Sequence, residues 1–301
     1  MTALLSLLAL ALNAETHVYK QARGLPIEAD LHRAPSQGPH PVLLWIHGGA
    51  LIMGSRRNLE EGRKPHLDRY LSEGWTVVSI DYRLAPETRL PEIWKDVRDA
   101  YAWIRTQGPK LFAADPSRIA IVGGSAGGYL SLLAAAKLQP KPKAVVSFYG
   151  YGDIAGDWYA KPDAFYRRQP EVAKEQAWAS VGTQPIADPP APNQRGRFYL
   201  FTRQQGTWPE LVAGGKNLSE YCPEKLVKPG YPPTMLLHGD ADTDVPVEQS
   251  KQMAAALERA GIVHQLIILP GAPHGFDRAF AQPAVRDAFE KSVQFLKKFL
   301  Q

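Results

Sequence analysis

Six continuous apolar runs recur along the chain, most of them separated by stretches with helical periodicity. They are Val42–Gly49 (VLLWIHGG), Trp75–Tyr82 (WTVVSIDY), Ile119–Gly124 (IAIVGG), Ala144–Gly150 (AVVSFYG), Thr234–Asp240 (TMLLHGD) and Gln265–Gly271 (QLIILPG). A strand with one wet face alternates apolar and polar residues, whereas an unbroken run reads as a strand covered on both faces. Between them, Leu90–Gly108 places Ile93, Val97, Ala100, Tyr101 and Ile104 on one helical stripe. Val247–Gly261 has a helical pattern ending on glycine, as at a helix C-terminus, and Ala284–Leu300 supplies another at the end. Buried strands alternating with amphipathic helices predict an α/β fold, with a mostly parallel sheet flanked by helices. Two earlier pieces, His17–Ala22 and Pro26–Arg33, alternate more and read as an antiparallel edge.

The rhythm breaks between Tyr151 and Tyr231. This segment is rich in Trp, Tyr, Phe, Pro and Arg. It is too aromatic to be disordered and too long to be a simple connection. We expect residues 151–231 to form a cap-like insertion over the C-terminal edge of the sheet, where open α/β sheets bind ligands. Its aromatics, among them Trp158, Tyr159, Phe165, Tyr166 and Trp178, are expected mostly in the insertion's own core, with some available to line a site.

One of the strand-like runs ends in Gly123-Gly124-Ser125-Ala126-Gly127-Gly128. A phosphate-binding P-loop needs a lysine that is absent here, and a dinucleotide loop needs glycine where Ser125 stands. What remains is G-x-S-x-G between a strand and a helix. This is the arrangement that lifts a serine hydroxyl clear of a sheet on a strained turn. A nucleophilic serine needs a base and a group that orients the base. His274 lies in a Gly- and Pro-rich loop after a later strand and fits the base. The other histidines fit less well: His238 ends a strand and is expected to be tied into its turn, and His264 opens one. Asp240, Asp242 and Asp244 stand two apart in one loop, and spacing alone leaves the acid open among them. For the developing oxyanion, the amides of Gly49 and Ala50 after the first parallel strand, with that of Ala126, are the candidate donors. His47 is expected to brace that loop rather than exchange protons.

Taken jointly, these stretches resemble the α/β-hydrolases, and within them the hormone-sensitive-lipase-like serine esterases. His47–Ala50 (HGGA) is similar to that family's oxyanion loop, with Ala50 in place of its third glycine. Asp81–Glu87 (DYRLAPE) is similar to the segment that follows its next strand, Gly123–Gly128 to its nucleophile elbow, and His274–Phe276 (HGF) to its histidine loop. The resemblance of His238–Pro246 (HGDADTDVP) to its acid loop implies Asp242 as the acid. It therefore implies a carboxylesterase working through Ser125, His274 and Asp242 with no metal or organic cofactor. The large insertion after Gly150, in place of that family's N-terminal cap, prevents the substrate pockets from being carried over. A small or short-acyl ester is expected, because no exposed apolar lid helix is visible. The alternatives are a peptidase or amidase of the prolyl-oligopeptidase-like type and a catalytically inactive ligand-binding relative.

The remaining features constrain partners and location. Lys and Arg outnumber Asp and Glu to give a net charge of +5, but they are scattered, which argues against nucleic acid as a partner. The single cysteine, Cys222, cannot form an internal disulfide and reads as structural. Leu4–Leu12 is apolar but too short to cross a bilayer. With the small residues that follow, it fits the apolar region of a signal peptide covering residues 1–14, hence a secreted or periplasmic location, with the cytoplasm as the alternative.

Overall fold

The computed structural model describes residues 14–301 apart from Lys216, so the segment read as a signal lies almost wholly outside the described residues. Eight strands form one sheet: β1 (Glu15–Ala22), β2 (Leu25–His32), β3 (His40–Ile46), β4 (Thr76–Ile80), β5 (Ala114–Gly124), β6 (Val145–Phe148), β7 (Thr234–Gly239) and β8 (His264–Leu269). Their order across the sheet is β1-β2-β4-β3-β5-β6-β7-β8. β1 and β2 pair antiparallel and join β4 antiparallel, while every pairing from β4 to β8 is parallel. The antiparallel edge and the parallel body expected from the sequence are both present.

The unbroken apolar runs follow from burial on two faces. Along β3, Val42, Leu44 and Ile46 enter one core cluster while Leu43 and Trp45 enter the other. β5 does the same, with Ile119 and Ile121 on one side and Ala120 and Val122 on the other. Successive side chains of a strand point to opposite faces, so each residue has a core to fill. The first face is covered by α2 (Leu90–Phe112), α3 (Ala126–Lys137) and α8 (Glu248–Arg259), and the second by α1 (Asn58–Ser72) and α9 (Pro283–Leu300).

Two elements differ from expectation. β8 is an edge strand, with most of its residues only partly buried, although its apolar run resembles the central ones. Apolar content does not distinguish a strand with two neighbours from one with a single neighbour. α1 has no clean apolar stripe and contains Pro65; its backbone leaves helical geometry at Arg63 (φ −144°, ψ 33°). Proline has no N–H to give the carbonyl four residues back and its ring crowds that carbonyl, so the helix is interrupted and its sequence signal is weak.

Segment 151–231 contains α4 (Asp157–Ala160), α5 (Lys174–Ala179), α6 (Gly196–Gln205), α7 (Pro223–Leu226) and shorter turns. Tyr151, Tyr159, Phe198 and Trp208 join the same cluster as α2 and α3. Tyr159 stacks on Trp208 at 4.2 Å between ring centroids. Of the aromatics singled out above, Tyr159 is buried and Trp158 packs against it, while Phe165 and Trp178 are each 40% exposed. Cys222 is buried, and its thiol faces the Leu218 carbonyl and the Asp153 carboxylate; burial pushes it up to about 11, consistent with an inert structural thiol. No helix among the described residues is long and apolar enough to cross a membrane.

The α9 face rests on Phe289, which meets His66 and Phe280 edge-on and Tyr70 at a tilt. Truncation there leaves a cavity that rigid helices cannot close. Phe289→Ala is expected to lower the unfolding free energy by about 3–5 kcal/mol. Val263→Ala, at a residue 61% exposed, is expected to stay within about 0.5 kcal/mol. Urea denaturation of the two variants measures the difference.

Candidate active site

The glycines around Ser125 answer to the crowding where β5 turns into α3. A Cβ on Gly127 would fall inside van der Waals contact with the Ile46 carbonyl oxygen, and one on Gly123 would collide with the Gly127 backbone. Only bare backbone lets the start of α3 come this close to the end of β3. Ser125 itself has φ 57° and ψ −123°, a conformation that costs a non-glycine residue on the order of 1–3 kcal/mol. Its amide donates to the Phe148 carbonyl at 2.9 Å, and its carbonyl accepts from Tyr129 at 2.9 Å, which holds the turn from both sides.

His274, in the loop after β8, reaches Ser125 with Nε2 at 3.0 Å from Oγ. Its Nδ1 lies 2.7 Å from Asp242 Oδ2. Asp242 Oδ1 accepts from the amides of Asp244 (2.8 Å) and Val245 (2.9 Å), while His238 Nε2 lies 3.3 Å from Oδ2. Burial works against the charge of Asp242, but the His238 and His274 bonds and these amides outweigh it and hold the carboxyl below its ordinary range. Burial likewise opposes a proton on His274, yet the charges of Asp244 and Asp242 raise its pKa above the ordinary 6.5.

The three loop carboxylates are thus distinguished by position. Asp240 accepts from the Gly271 amide at 2.6 Å, joining two loops. Asp242 meets Nδ1 of His274, and Asp244 stands near its other nitrogen, with Oδ2 3.4 Å from Nε2. His238 is tied to Ser250 and the Val245 carbonyl, and His264 to the Ile262 carbonyl, as expected for structural histidines.

Beside Ser125, the loop after β3 runs through Gly49 (φ 107°), Ala50 (φ 56°) and Leu51 (φ 65°). No backbone carbonyl takes the amide of Gly49, Ala50 or Ala126 among the turn and loop hydrogen bonds of the described residues. Ala50 adopts the left-handed conformation of a glycine, so its methyl group adds backbone strain while its N–H stays unspent. Several anchors hold this loop. Trp208 Nε1 donates to the Ala50 carbonyl at 3.1 Å, and Ala85 N donates to the Leu51 carbonyl at 2.7 Å. Arg195 Nε donates to the Ile52 carbonyl, while its Nη groups pair with the Glu87 carboxylate. His47 stacks on Tyr82 at 4.1 Å, and burial pushes it down to about 4, so it stays neutral and serves as a brace. The DYRLAPE segment therefore contributes structure: Tyr82, Ala85 and Glu87 fix the loop from below.

Gly48–Ala50, Ser125 and His274 face a cleft of about 470 Å³. Its other walls mix polar and apolar surface and include Met53, Glu61, Arg63, Tyr199, Asp244 and Arg278. None of the five singled-out insertion aromatics lines it; Tyr199 does. Sequence reading also missed a buried network under His274. Arg63 pairs with Asp277 and donates to Tyr149 Oη at 2.9 Å, Tyr149 donates to Asp277, and the Tyr149 ring meets His274 edge-on at 4.7 Å. Asp277 directly follows the HGF motif, but nothing in the sequence marks Arg63 as its partner.

Comparison with known proteins places the fold. A family profile described as an alpha/beta hydrolase fold matches residues 43–278. Esterase LipC of Mycobacterium tuberculosis is 32% identical over 244 residues, which is 79% of this chain and 54% of that protein. Non-reducing polyketide synthase adrD of Penicillium roqueforti is 29% identical over 340 residues, covering 93% of this chain but 14% of the synthase. The chain therefore spans less than two thirds of the length of these relatives. A Staphylococcus aureus protein of unknown function shares the fold with a TM-score of 0.77 at 24% identity, over 95% of this chain and 100% of that one.

The bracing of the loop is testable. The Glu87 side chain is buried against Arg195, and removing one partner of such a pair strands the other charge. Glu87→Ala is expected to cost about 3–5 kcal/mol of stability. Lys64→Ala, which breaks the exposed pair with Asp68, should cost under about 1 kcal/mol. Chemical denaturation distinguishes the two.

Proposed function

This chain belongs to the alpha/beta-hydrolase family, and on that premise we propose that it is a serine carboxylesterase acting on small or short-acyl esters. The observation that carries the proposal is the hydrogen-bonded series from Asp242 through His274 to Ser125, at 2.7 and 3.0 Å. The likeness to Esterase LipC supports an esterase-type hydrolase over a binding protein. In this reading Ser125 Oγ attacks the ester carbonyl while His274 Nε2 takes its proton, with Asp242 holding the ring and stabilising the imidazolium. The amides of Gly49, Ala50 and Ala126 receive the oxyanion; losing one such donor typically costs about 2.7–4 kcal/mol of transition-state stabilisation. His274 returns the proton to the leaving alcohol. Water then repeats the sequence on the acyl-enzyme. The cleft of about 470 Å³ supports short acyl groups, because a long alkyl chain would have to run past Glu61, Arg63 and Arg278, which stand among its walls.

Hydrolysis of p-nitrophenyl acetate, butyrate and decanoate, against a matched p-nitroanilide, tests this reading. Acetate or butyrate should be turned over fastest, the anilide slowly or not at all, and Ser125→Ala should reduce ester turnover by at least about 10⁴-fold. Faster turnover of decanoate contradicts the short-acyl assignment, and cleavage of the anilide alone favours an amidase.

The pH dependence has a definite sign. His274 accepts a proton only when neutral, and its pKa in the free chain is raised above 6.5. Ester kcat/KM is therefore expected to rise with pH through a midpoint above 6.5 and to be lost below it. A midpoint below 6.5 contradicts this.

A further inference from the structure

A serine triad uses one carboxylate, at Nδ1 of the histidine, yet a second one lies on the opposite side of the His274 ring. Asp244 Oδ2 is 3.4 Å from Nε2, the same nitrogen that faces Ser125 Oγ at 3.0 Å. The two oxygens of Asp244 are used differently. Oδ1 accepts from Tyr166 Oη at 2.8 Å, from Tyr199 Oη, and from Arg203 Nη1 at 3.1 Å. Arg203 Nη1 also donates to the Asp244 carbonyl at 3.0 Å. Oδ2 has no hydroxyl or guanidinium donor among the described residues, and Asp244 lines the cleft.

The holding groups are themselves fixed. Arg203 is 1% exposed, pairs with Asp163 at 2.7 Å and lies over the rings of Tyr159 and Tyr166. Asp163, Tyr166, Tyr199 and Arg203 all belong to the 151–231 insertion. On the other side, the Asp244 amide donates to Asp242 Oδ1, so both carboxylates sit on one turn.

The protonation state of His274 decides what Oδ2 can do. In the neutral ring, Nδ1–H donates to Asp242 and Nε2 carries a lone pair, which accepts from Ser125 and offers Asp244 nothing. Once Ser125 has given up its proton, Nε2 carries an N–H, and Asp244 Oδ2 lies within reach as an acceptor. We infer that Asp244 is a second positioning carboxylate for His274, held by the insertion so that Oδ2 receives the Nε2–H of the imidazolium. The proton stays on Nε2 until it passes to the leaving alcohol; Asp244 accepts a hydrogen bond and takes no proton. The insertion thereby reaches the chemistry through the base, as well as forming a wall of the cleft through Tyr199. This inference rests on the serine-hydrolase reading above.

Other charged and titratable groups surround His274. Asp242 lies at Nδ1, Tyr149 meets the ring from the end of β6, and Asp277 is closed off by Arg63 of α1. Glu61 and Arg278 line the same cleft. The test must therefore isolate Asp244. The rate at which a fluorophosphonate labels Ser125 in the full chain, followed from pH 5 to 9, reports neutral His274 without requiring the natural substrate. Asp244→Asn keeps the side-chain shape and should move the labelling midpoint to lower pH by about one unit. Glu248→Gln removes an equal charge from the exposed start of α8 and should leave the midpoint in place. Labelling with an unchanged Asp244→Asn midpoint, or an equal shift in both variants, overturns the inference alone. Failure of Ser125 to label at any pH overturns the serine-hydrolase reading and the inference with it.

A measurement with Asp244 in place covers the case in which Asp244→Asn does not fold. Ser125 Oγ is the nearer acceptor to Nε2, so it is made on Ser125→Ala: below the midpoint, the ¹⁵N–¹H spectrum of His274 should show two protected imidazolium N–H signals, one for each carboxylate. A protected Nδ1–H with an Nε2–H that exchanges freely with water contradicts the assignment.

Discussion

The geometry of the cleft depends on the backbone of α3 lying directly against the end of β3. Gly127 meets the Ile46 carbonyl with no room for a methyl group between them. That contact sets where α3 begins, and so where the strained Ser125 turn projects its hydroxyl. It also brings the loop after β3 alongside, with the amides of Gly49 and Ala50 still unspent. The strain at Ser125 and at Ala50 is held by surrounding structure: the Phe148 carbonyl and the Tyr129 amide for one, and Trp208, Ala85 and Arg195 for the other.

Electrostatics around the base follow from the same packing. Desolvation alone would discharge both His274 and Asp242, since each is removed from water. Hydrogen bonds and neighbouring charges reverse that tendency: Asp242 is held by two amides and two imidazoles, and His274 stands between two carboxylates. Beneath them, Arg63 and Asp277 neutralise one another, with Tyr149 bridging to the ring of the base. The histidine is thus positioned by three segments far apart in sequence: the loop after β7, the end of β6 and the interrupted helix α1.

Much of the parallel sheet was legible because burial on two faces leaves an unmistakable trace, an apolar residue at every position of β3 from Val42 to Ile46. The turn at Ser125 was legible because close backbone approach admits few residues besides glycine. The geometry brings Asp242 and His274 together with Ser125 where the sequence motifs pointed. What escaped was of another kind. α1 carries Pro65 and no apolar stripe, so its period is hidden. The edge position of β8 depends on which strand lacks a neighbour, which apolar content does not encode. Tyr199, Arg63 and the distinct placement of Asp244 arise from partners 41 to 214 positions apart. No local pattern records such pairings. The insertion aromatics show the same limit, for Phe165 and Trp178 read like core residues yet are substantially exposed.

Trapping the acyl-enzyme shows whether Ser125 is the nucleophile. The chain is mixed with p-nitrophenyl acetate at a pH above the His274 midpoint, quenched in acid within the first turnovers, and mapped by peptide mass spectrometry. One acetyl group is expected on the peptide containing Ser125, carried by that residue and absent from Ser125→Ala. Rapid ester turnover with the acetyl group on a different side chain, or with no covalent adduct at any quench time under saturating ester, would contradict it.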